Sequence, residues 1–271
     1  MAAEARRCDG IDILMYHQVG AFAPMHGHRS TYCDHRRFAA QMAWLHRLRY
    51  TVLGMDEVLD CLAGRRPVPP RAVALTFDDG YENFHEYAWP QLQRYGFRAM
   101  VYLIADLIGQ PARWFAADGR ATPPLMDAAR IRQLRREGVD FGSHGATHVR
   151  LAEQDDGRVQ DEVQRSRIVL EDLLGEPVTH FCYPYGSYER RVLDAVARAG
   201  YHSAVTCVRA RSCPGDDPLA LPRKAVSWGD TWPGVFWKLH MKNRPKGAWP
   251  RRAPAERSNP GAGLMRQSAS F

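Results

Sequence analysis

Short apolar runs alternate with amphipathic segments along most of the chain. Residues 72–77 (AVALTF) are apolar apart from one threonine, as in a buried strand, whereas residues 35–49 place an apolar side chain every three or four positions, as in a surface helix. The predicted strands are 11–16, 50–53, 72–77, 97–105, 139–144, 178–186 and 201–207. The predicted helices are 35–49, 55–64, 86–96, 127–138, 156–175 and 188–200. This alternation predicts a parallel sheet or a barrel.

Polar side chains capable of chemistry lie at the ends of four of these strands. Strand 11–16 is followed by HQ, strand 72–77 by DDG, strand 139–144 runs into HGATH, and strand 178–186 ends in PYG. The carboxyl ends of parallel strands meet on one side of such folds, and ligands bind there. We therefore expect one functional site built from these strand ends.

The two histidines of HGATH have the spacing of metal ligands. His144 and His148 are four residues apart, which puts both rings on one face of a helical or tightly turned segment. With one carboxylate they would complete a three-ligand site that leaves a position open for water. Two other interpretations remain open from the residues alone: a solvated or core-packed histidine pair, and a simple turn at Asp78-Asp79-Gly80.

Three motifs together resemble the polysaccharide deacetylase or chitooligosaccharide deacetylase family, also called carbohydrate esterase family four. They are TFDDG at 76–80, SHGATH at 143–148 and YPYG at 183–186, and the resemblance extends from about Ile11 to Trp228. The segments LMYHQV and LPRKAV further resemble the branch that contains the poly-N-acetylglucosamine deacetylases. The resemblance implies a deformed (β/α) barrel of about seven parallel strands, with the active site at the carboxyl ends of the strands.

The resemblance also implies a division of work between the two aspartates. Asp79, His144 and His148 would bind a divalent metal, most simply Zn²⁺ with Co²⁺, Ni²⁺ or Fe²⁺ as alternatives, and Asp78 would be the general base. Elementary chemistry agrees, since a metal ion activates water and a neighbouring carboxylate accepts its proton.

His17 is our candidate for the acid that protonates the departing amine, because that step needs a proton donor at a strand end. The alternative is a packed histidine. The family's third motif implies that Pro184, Tyr185 and Gly186 bind substrate, with the N–H of Tyr185 donating to the developing oxyanion. A rigid turn explains the same three residues.

One position departs from the family pattern. Cys182 stands where the family's third motif usually begins with an arginine that orients the catalytic acid. The resemblance to the poly-N-acetylglucosamine branch implies that Arg223, in LPRKAV, supplies this guanidinium, since only arginine offers a planar fork to a carboxylate. The alternative is a surface arginine.

Aromatic side chains in loop-like sequence offer stacking faces for a sugar. Trp228 is our candidate for substrate binding, and Trp114 and Trp232 are in similar sequence. Ordinary packing is the competing explanation for each of them.

Charge separates the chain into a nearly neutral body and a basic end. Net charge is +7, but residues 241–271 hold seven Lys or Arg and one acid, which leaves the rest at +1. A nucleic-acid partner is therefore not expected.

We divide the chain into an N-terminal extension (1–10), a catalytic domain (11–240) and a basic, partly disordered tail (241–271). The aromatic and basic residues that lead into the tail fit an anionic membrane surface, and the alternative is a helix packed on the barrel followed by a solvated tail.

The start of the chain and the cysteines predict a cytoplasmic protein. The first apolar run follows charged residues and is too short for a secretory signal, and no window has the roughly 18 apolar residues of a spanning helix. Six cysteines without a Cys-x-x-Cys pair favour thiols over disulfides.

These observations predict a metal-dependent hydrolase of linear amides that removes N-acetyl groups from N-acetylhexosamine units. The substrate would be a cell-envelope polysaccharide or a lipid-linked precursor. Two alternatives stay open: a hydrolase of small non-peptide amides or O-acetyl esters, and a catalytically silent glycan-binding protein.

Overall fold

The computed structural model describes residues 9–245. The predicted N-terminal extension and basic tail therefore lie outside the described residues, apart from positions 9–10 and 241–245. Over the described part of the chain, no helix combines the length and hydrophobicity that a membrane crossing requires.

Ten strands and seven α-helices make up the described part of the chain. The strands are β1 (Asp12–Tyr16), β2 (Gln18–Gly20), β3 (Tyr32–Asp34), β4 (Thr51–Leu53), β5 (Ala72–Phe77), β6 (Met100–Leu103), β7 (Asp140–Ser143), β8 (His180–Cys182), β9 (Ser203–Val205) and β10 (Lys224–Ala225). The helices are α1 (His35–Arg47), α2 (Met55–Leu62), α3 (Trp89–Tyr95), α4 (Ala128–Arg136), α5 (Asp156–Leu174), α6 (Arg190–Arg198) and α7 (Trp232–Met241). A π-helical turn (Phe84–Ala88) precedes α3, and short 3₁₀ turns lie at Arg29–Thr31, Ala105–Leu107, Arg113–Asp118, Leu151–Glu153, Pro184–Gly186 and Pro218–Ala220.

The main sheet is entirely parallel and curls into a deformed barrel, as predicted. Its strands follow the order β10-β1-β5-β6-β7-β8-β9, and β4 pairs with the first half of β5. A parallel bridge between Val205 and Leu221 links β9 to the segment that enters β10, so the two ends of the sheet approach each other. The separate pair β2–β3 and the strand β10 are absent from the sequence-based prediction.

The helices begin and end at residues suited to those positions. Asp34, Asp127 and Asp155 each accept a hydrogen bond from a backbone N–H in the first turn of α1, α4 and α5. Gly96 and Gly175 end α3 and α5 in the left-handed conformation that glycine adopts without strain. These signals are local, which is why the sequence pattern predicts the helices well.

The barrel has apolar packing on both sides of its wall. In β5, Val73, Leu75 and Phe77 belong to the cluster between the strands and the helices, and Ala74 belongs to a second cluster. Alternate residues of a strand point to opposite faces, so Ala74 and Thr76 point the other way, into the barrel. Because both faces of β5 are buried, its sequence is an almost uninterrupted apolar run. The same alternation determines the direction of the Asp78 side chain, just after the strand.

Helix α7 packs on the barrel through one face only. Val235 and Leu239 are buried, whereas Trp232, Phe236 and Trp237 are exposed. The packed helix of the sequence analysis is therefore present, with an aromatic surface on its outer side.

The expectation of thiols instead of disulfides is wrong at one position. Cys33, Cys61, Cys182 and Cys207 are free, but Cys213 is disulfide-bonded. The spacing of the cysteines carried no signal for this bond, since a disulfide requires that the fold bring two cysteines within bonding distance.

Candidate active site

Asp78 continues the inward side of β5. Its backbone N–H donates to the carbonyl of Tyr16 at 2.9 Å, which keeps the chain extended for one residue beyond the strand. The alternation that points Thr76 into the barrel therefore points Asp78 there as well. Its side chain is only 2 % exposed, so the carboxylate needs a partner.

The partner is Arg223, which lies immediately before β10. Its Nη1 and Nη2 donate to the two carboxylate oxygens of Asp78 at 2.6 and 2.7 Å, in a bidentate pair. The same guanidinium donates to the hydroxyl of Thr76 at 3.1 Å and to the carbonyl of Thr206 at 2.9 Å. Arg223 is thus held from several strands and is 1 % exposed, not a surface arginine.

Cys182 leaves room for this guanidinium. Its Sγ lies 3.2 Å from Nη2 of Arg223, so the arginine arrives from β10 beside the position where the third motif usually supplies one. Burial by itself raises the pKa of Asp78, but the charge and hydrogen bonds of Arg223 outweigh it and hold that pKa below its usual value. Asp78 is therefore an ionised carboxylate at neutral pH.

Asp79 points away from its neighbour because the backbone turns. Its φ is 74° and that of Gly80 is 75°, both in the left-handed region that Asp and Gly tolerate best. The turn brings Oδ1 of Asp79 to 3.3 Å from Nε2 of His144 and 3.3 Å from Nε2 of His148. The three side chains are buried and their ligand atoms converge on one point.

This set fits a divalent metal. Oδ1 of Asp79 is buried without a hydrogen-bond partner among the described residues, which is costly unless a cation occupies the point on which the ligands converge. Nδ1 of His144 lies 2.8 Å from the carbonyl of Cys182, so Nε2 is the nitrogen free to bind. A carboxylate and two imidazoles are typical ligands of Zn²⁺ and related ions.

A second group of potential ligands, Asp78, His144 and Cys182, is less suitable. Arg223 already occupies both oxygens of Asp78 and contacts the sulfur of Cys182. Burial also raises the pKa of the Cys182 thiol, and a metal needs the thiolate.

The site opens into a cavity of about 840 Å³ lined by strained backbone. Six described residues other than glycine have a left-handed φ, and four of them, His28, Asp79, His148 and Tyr185, line this cavity. Backbone strain concentrates where function requires an unusual placement of side chains. The distribution therefore supports this cavity as the functional one.

His17 lies beside the Asp78 carboxylate. Its Nε2 is 3.9 Å from Oδ2 of Asp78, and its side chain is 19 % exposed and lines the cavity. The other ring nitrogen, Nδ1, makes no hydrogen bond to any described residue. Its position at the end of β1 therefore brings His17 to the site, as the sequence suggested. Because its ring lines the cavity, it can contact a molecule bound there.

Two tyrosines of the third motif, Tyr183 and Tyr185, line the cavity, whereas Pro184 and Gly186 are not among the described residues that line it. Pro184 is buried, Gly186 donates to the carbonyl of Tyr183 at 2.9 Å, and Tyr185 is 44 % exposed with φ 58°. The ring of Tyr185 lies 4.5 Å from that of His148. A rigid turn and a cavity wall are therefore both present.

Among the tryptophans, the structure brings Trp114 to the cavity instead of Trp228. The ring of Trp114 lies 4.4 Å from that of His148, on a 3₁₀ turn within the long loop after β6. Trp228 is not among the described residues that line the cavity. Its backbone N–H donates to the carbonyl of Arg29, its backbone carbonyl accepts from the guanidinium of Arg37, and its ring lies 6.1 Å from that of Phe22. Packing is therefore the better explanation of Trp228.

Sequence reasoning did not find Arg150, whose guanidinium carbon lies 4.3 Å from the centre of the Tyr185 ring. Its position two residues after His148 was the available signal. Arginine is common on exposed loops, so that signal has little weight without the contact.

Comparison with known proteins agrees with this geometry. The family model described as polysaccharide deacetylase matches residues 65–204, which include both aspartates and both histidines. The Bacillus subtilis (strain 168) protein YxkH, a polysaccharide deacetylase by name, is 26 % identical over 219 residues, covering 81 % of this chain and 72 % of YxkH. A poly-β-1,6-N-acetyl-D-glucosamine N-deacetylase of Staphylococcus aureus (strain MSSA476) is 20 % identical over 202 residues, covering 70 % of this chain and 66 % of that protein.

A solved structure shares the fold. The Streptococcus pyogenes deacetylase PplD, in complex with acetate, superimposes on this protein with a TM-score of 0.73 and 22 % sequence identity. The superimposed region covers 85 % of this chain and 98 % of the PplD chain. At that identity the likeness concerns the fold alone. Because the family model spans more than half of the sequence and includes both aspartates and both histidines, the chain belongs to the polysaccharide deacetylase family of hydrolases.

Proposed function

We propose that this protein removes N-acetyl groups from N-acetylhexosamine units of a glycan or glycoconjugate. The observation that carries the proposal is the pair of adjacent aspartates with separate partners: Asp79 with His144 and His148, and Asp78 with Arg223. Amide hydrolysis needs both a site for an activating cation and a free base beside it. The name of the Staphylococcus aureus relative supports N-acetylglucosamine as the sugar.

The proposed cofactor is a divalent cation, most simply Zn²⁺, held by Asp79, His144 and His148. When bound, such an ion lowers the pKa of water toward neutrality and polarises the carbonyl of an acetamide. Co²⁺, Ni²⁺ and Fe²⁺ accept the same ligands and are the alternatives.

Residues around these three ligands would carry out the proton transfers and stabilise the developing negative charge. Asp78 accepts the proton of the attacking water, and Arg223 keeps the carboxylate charged and oriented for this transfer. His17 donates a proton to the departing amine. The N–H of Tyr185 hydrogen-bonds to the acetamide oxygen as negative charge develops there.

The walls of the cavity suit a sugar. Trp114 and Tyr185 flank His148 with their rings, and aromatic faces stack on the apolar faces of pyranose rings. The volume, about 840 Å³, falls in the range of cavities that bind small molecules and exceeds what a single acetamide needs. These features favour a sugar amide over a small non-peptide amide.

The test is acetate release from oligomers of N-acetylglucosamine in β-1,4 and β-1,6 linkage, with mass spectrometry for a loss of about 42 Da, which is one acetyl replaced by hydrogen in metal-assisted hydrolysis. We expect release to stop after chelation and to return with Zn²⁺. His148→Ala should abolish both metal binding and release. The matched control is His202→Ala, at an exposed histidine outside the cavity.

Three results would contradict the proposal. Metal-loaded protein that cleaves only O-acetyl sugars or small cyclic amides would move the activity to those substrates. Protein that binds the oligomers without cleaving any substrate would be a silent glycan-binding member. Full release by metal-free protein would remove the metal from the reaction.

A further inference from the structure

A buried carboxylate outside the candidate catalytic set lies against the loop that carries both histidines. Glu162, in the middle of α5, has 0 % exposure. Its Oε2 accepts hydrogen bonds from the backbone N–H groups of Ala146 and Thr147, each at 2.8 Å. Its Oε1 accepts a further hydrogen bond from the hydroxyl of Thr147. These contacts all fall between His144 and His148.

Three other backbone groups of this loop also have partners. The N–H of Gly145 donates to Oγ of Ser143 at 3.2 Å, and the carbonyls of Gly145 and Ala146 accept from the N–H groups of Ala105 and Asp106 at 3.1 and 3.0 Å. Glu162 supplies the acceptor for the N–H groups of Ala146 and Thr147. Without it, these two N–H groups would lie in or at the edge of the interior without an acceptor, which is costly.

The charge of Glu162 is compensated within its own helix. Arg158, one turn earlier, lies 2.8 Å from Oε1 of Glu162 and also donates to the hydroxyl of Thr147 at 2.9 Å. A Cβ at Gly145 would come within 3.3 Å of Oε2, and the φ of this residue is 78°. A glycine is thus required where the loop passes closest to the carboxylate.

The two histidines are oriented in different ways. Nδ1 of His144 lies 2.8 Å from the carbonyl of Cys182, which fixes that ring directly. Nδ1 of His148 has no hydrogen-bond partner within residues 9–245, and the backbone of His148 has φ 63°. The position of His148 therefore depends on the backbone of the loop, in addition to the rings that flank it.

We infer that Glu162 is a positioning residue that sets the placement of His148 relative to His144 before a metal binds. This inference rests on the proposed function, since it takes both histidines as ligands. Ligands that are held in place lose little freedom on binding, so the affinity for the metal is higher than a mobile loop would allow. Removal of supporting contacts around metal ligands typically weakens binding by about 10- to 100-fold.

The test measures metal binding by the purified full chain and not only its activity. Zn²⁺ affinity is measured by competition with a chelating dye, and the absorption spectrum of added Co²⁺ reports the geometry of its ligands. We expect Glu162→Ala to weaken Zn²⁺ binding by about 10- to 100-fold and to alter the Co²⁺ spectrum. Glu162→Gln keeps one oxygen for the two N–H groups, so its loss should be smaller.

The matched control is Glu171→Gln, on the same helix. Glu171 also accepts from a backbone N–H, that of Val178 at 3.0 Å, and pairs with Arg167 at 2.8 Å, but it does not contact the loop. This control should bind Zn²⁺ like the wild type. Thr147→Val, which removes only the hydroxyl bonded to Glu162, replaces Glu162→Ala if that variant does not fold, and it should weaken Zn²⁺ binding.

The outcomes separate this inference from the proposed function. A wild type that binds no divalent metal would refute the metal-dependent reaction itself. A wild type that binds Zn²⁺ while the folded Glu162 and Thr147 variants bind it equally well, with an unchanged Co²⁺ spectrum, would overturn only the inference. A lower melting temperature with unaltered metal affinity would likewise show a merely structural role.

Discussion

Replacing Arg223 by methionine tests the electrostatic part of the site directly. Arg223→Met keeps an unbranched side chain but removes the charge and both hydrogen bonds to Asp78, whose oxygens now lie 2.6 and 2.7 Å from guanidinium nitrogens. Asp78 would remain buried without the positive charge that now offsets its burial. Because burial disfavours the charged form, the pKa of Asp78 should rise.

The interaction that is lost has a definite scale. Opposite unit charges about 4 Å apart attract by about 4 kcal/mol at an effective dielectric constant of about 20. Without this attraction the burial of Asp78 is no longer offset, so its pKa should rise. A general base works only when deprotonated, so the acidic limb of the pH–rate profile should move to higher pH. On that limb kcat/KM should fall by up to about 10³-fold, which corresponds to about 4 kcal/mol.

The assay is kcat/KM for acetate release across pH, with metal content measured on the same samples. Arg211→Met is the control, since Arg211 also pairs with a buried carboxylate, Asp12 at 2.7 Å, but outside the cavity. Arg223→Lys retains the charge without the fork, and its acidic limb should stay near that of the wild type. An unshifted limb in metal-loaded, folded Arg223→Met would refute the reasoning.

Further predictions concern the base, the acid stability of the fold and two buried positions. Asp78→Asn should retain metal but lose acetate release by about 10²- to 10⁴-fold, and near-wild-type turnover would exclude Asp78 as the base. Because the pKa of Asp78 is lowered from 3.8, the ionised carboxylate stabilises the fold above about pH 4 and this contribution is lost as pH falls through the lowered pKa. Urea unfolding between pH 6 and 3 should therefore show a steeper decline for the wild type than for Asp78→Asn, and parallel declines would contradict this. Asp12→Asn should lower the free energy of unfolding by about 3 kcal/mol, because Lys224, 2.5 Å away and fully buried, loses its counterion; a change below about 1 kcal/mol in urea would argue against this. Gly142→Ala should lower the free energy of unfolding by about 1–3 kcal/mol and reduce the melting temperature, because a Cβ at this position would lie 2.8 Å from the carbonyl oxygen of His180. An unchanged melting temperature would show that β7 and β8 can move apart to accommodate the methyl group.

The sequence pattern predicted the elements with strong periodicity and missed the shortest ones. β5 has the predicted bounds, and α5 differs from its prediction by one residue. β2, β3 and β10 have two or three residues each, too few for an alternation of polar and apolar positions to appear. Such strands form because the surrounding fold supplies their hydrogen-bond partners.

The candidate site divides in the same way. Asp79, His144 and His148 lie in two short motifs at strand ends, and the parallel topology suffices to bring such ends together. The choice between Trp114 and Trp228 had no basis in sequence, because both lie in loop-like segments. The structure separates them through contacts with His148 in one case and with Arg29 and Arg37 in the other.

What the sequence by itself determined is therefore local: the order of strands and helices, the strand-end chemistry and the residues able to hold a metal. What only the tertiary structure decided is long-range: that Arg223 pairs with Asp78, 145 residues away, and is not a surface arginine, and that Glu162 supports the histidine loop. The physical reason is that periodicity and backbone preference act over a few residues. A buried ion pair or a backbone–carboxylate contact depends on the register of the closed barrel, to which the whole chain contributes.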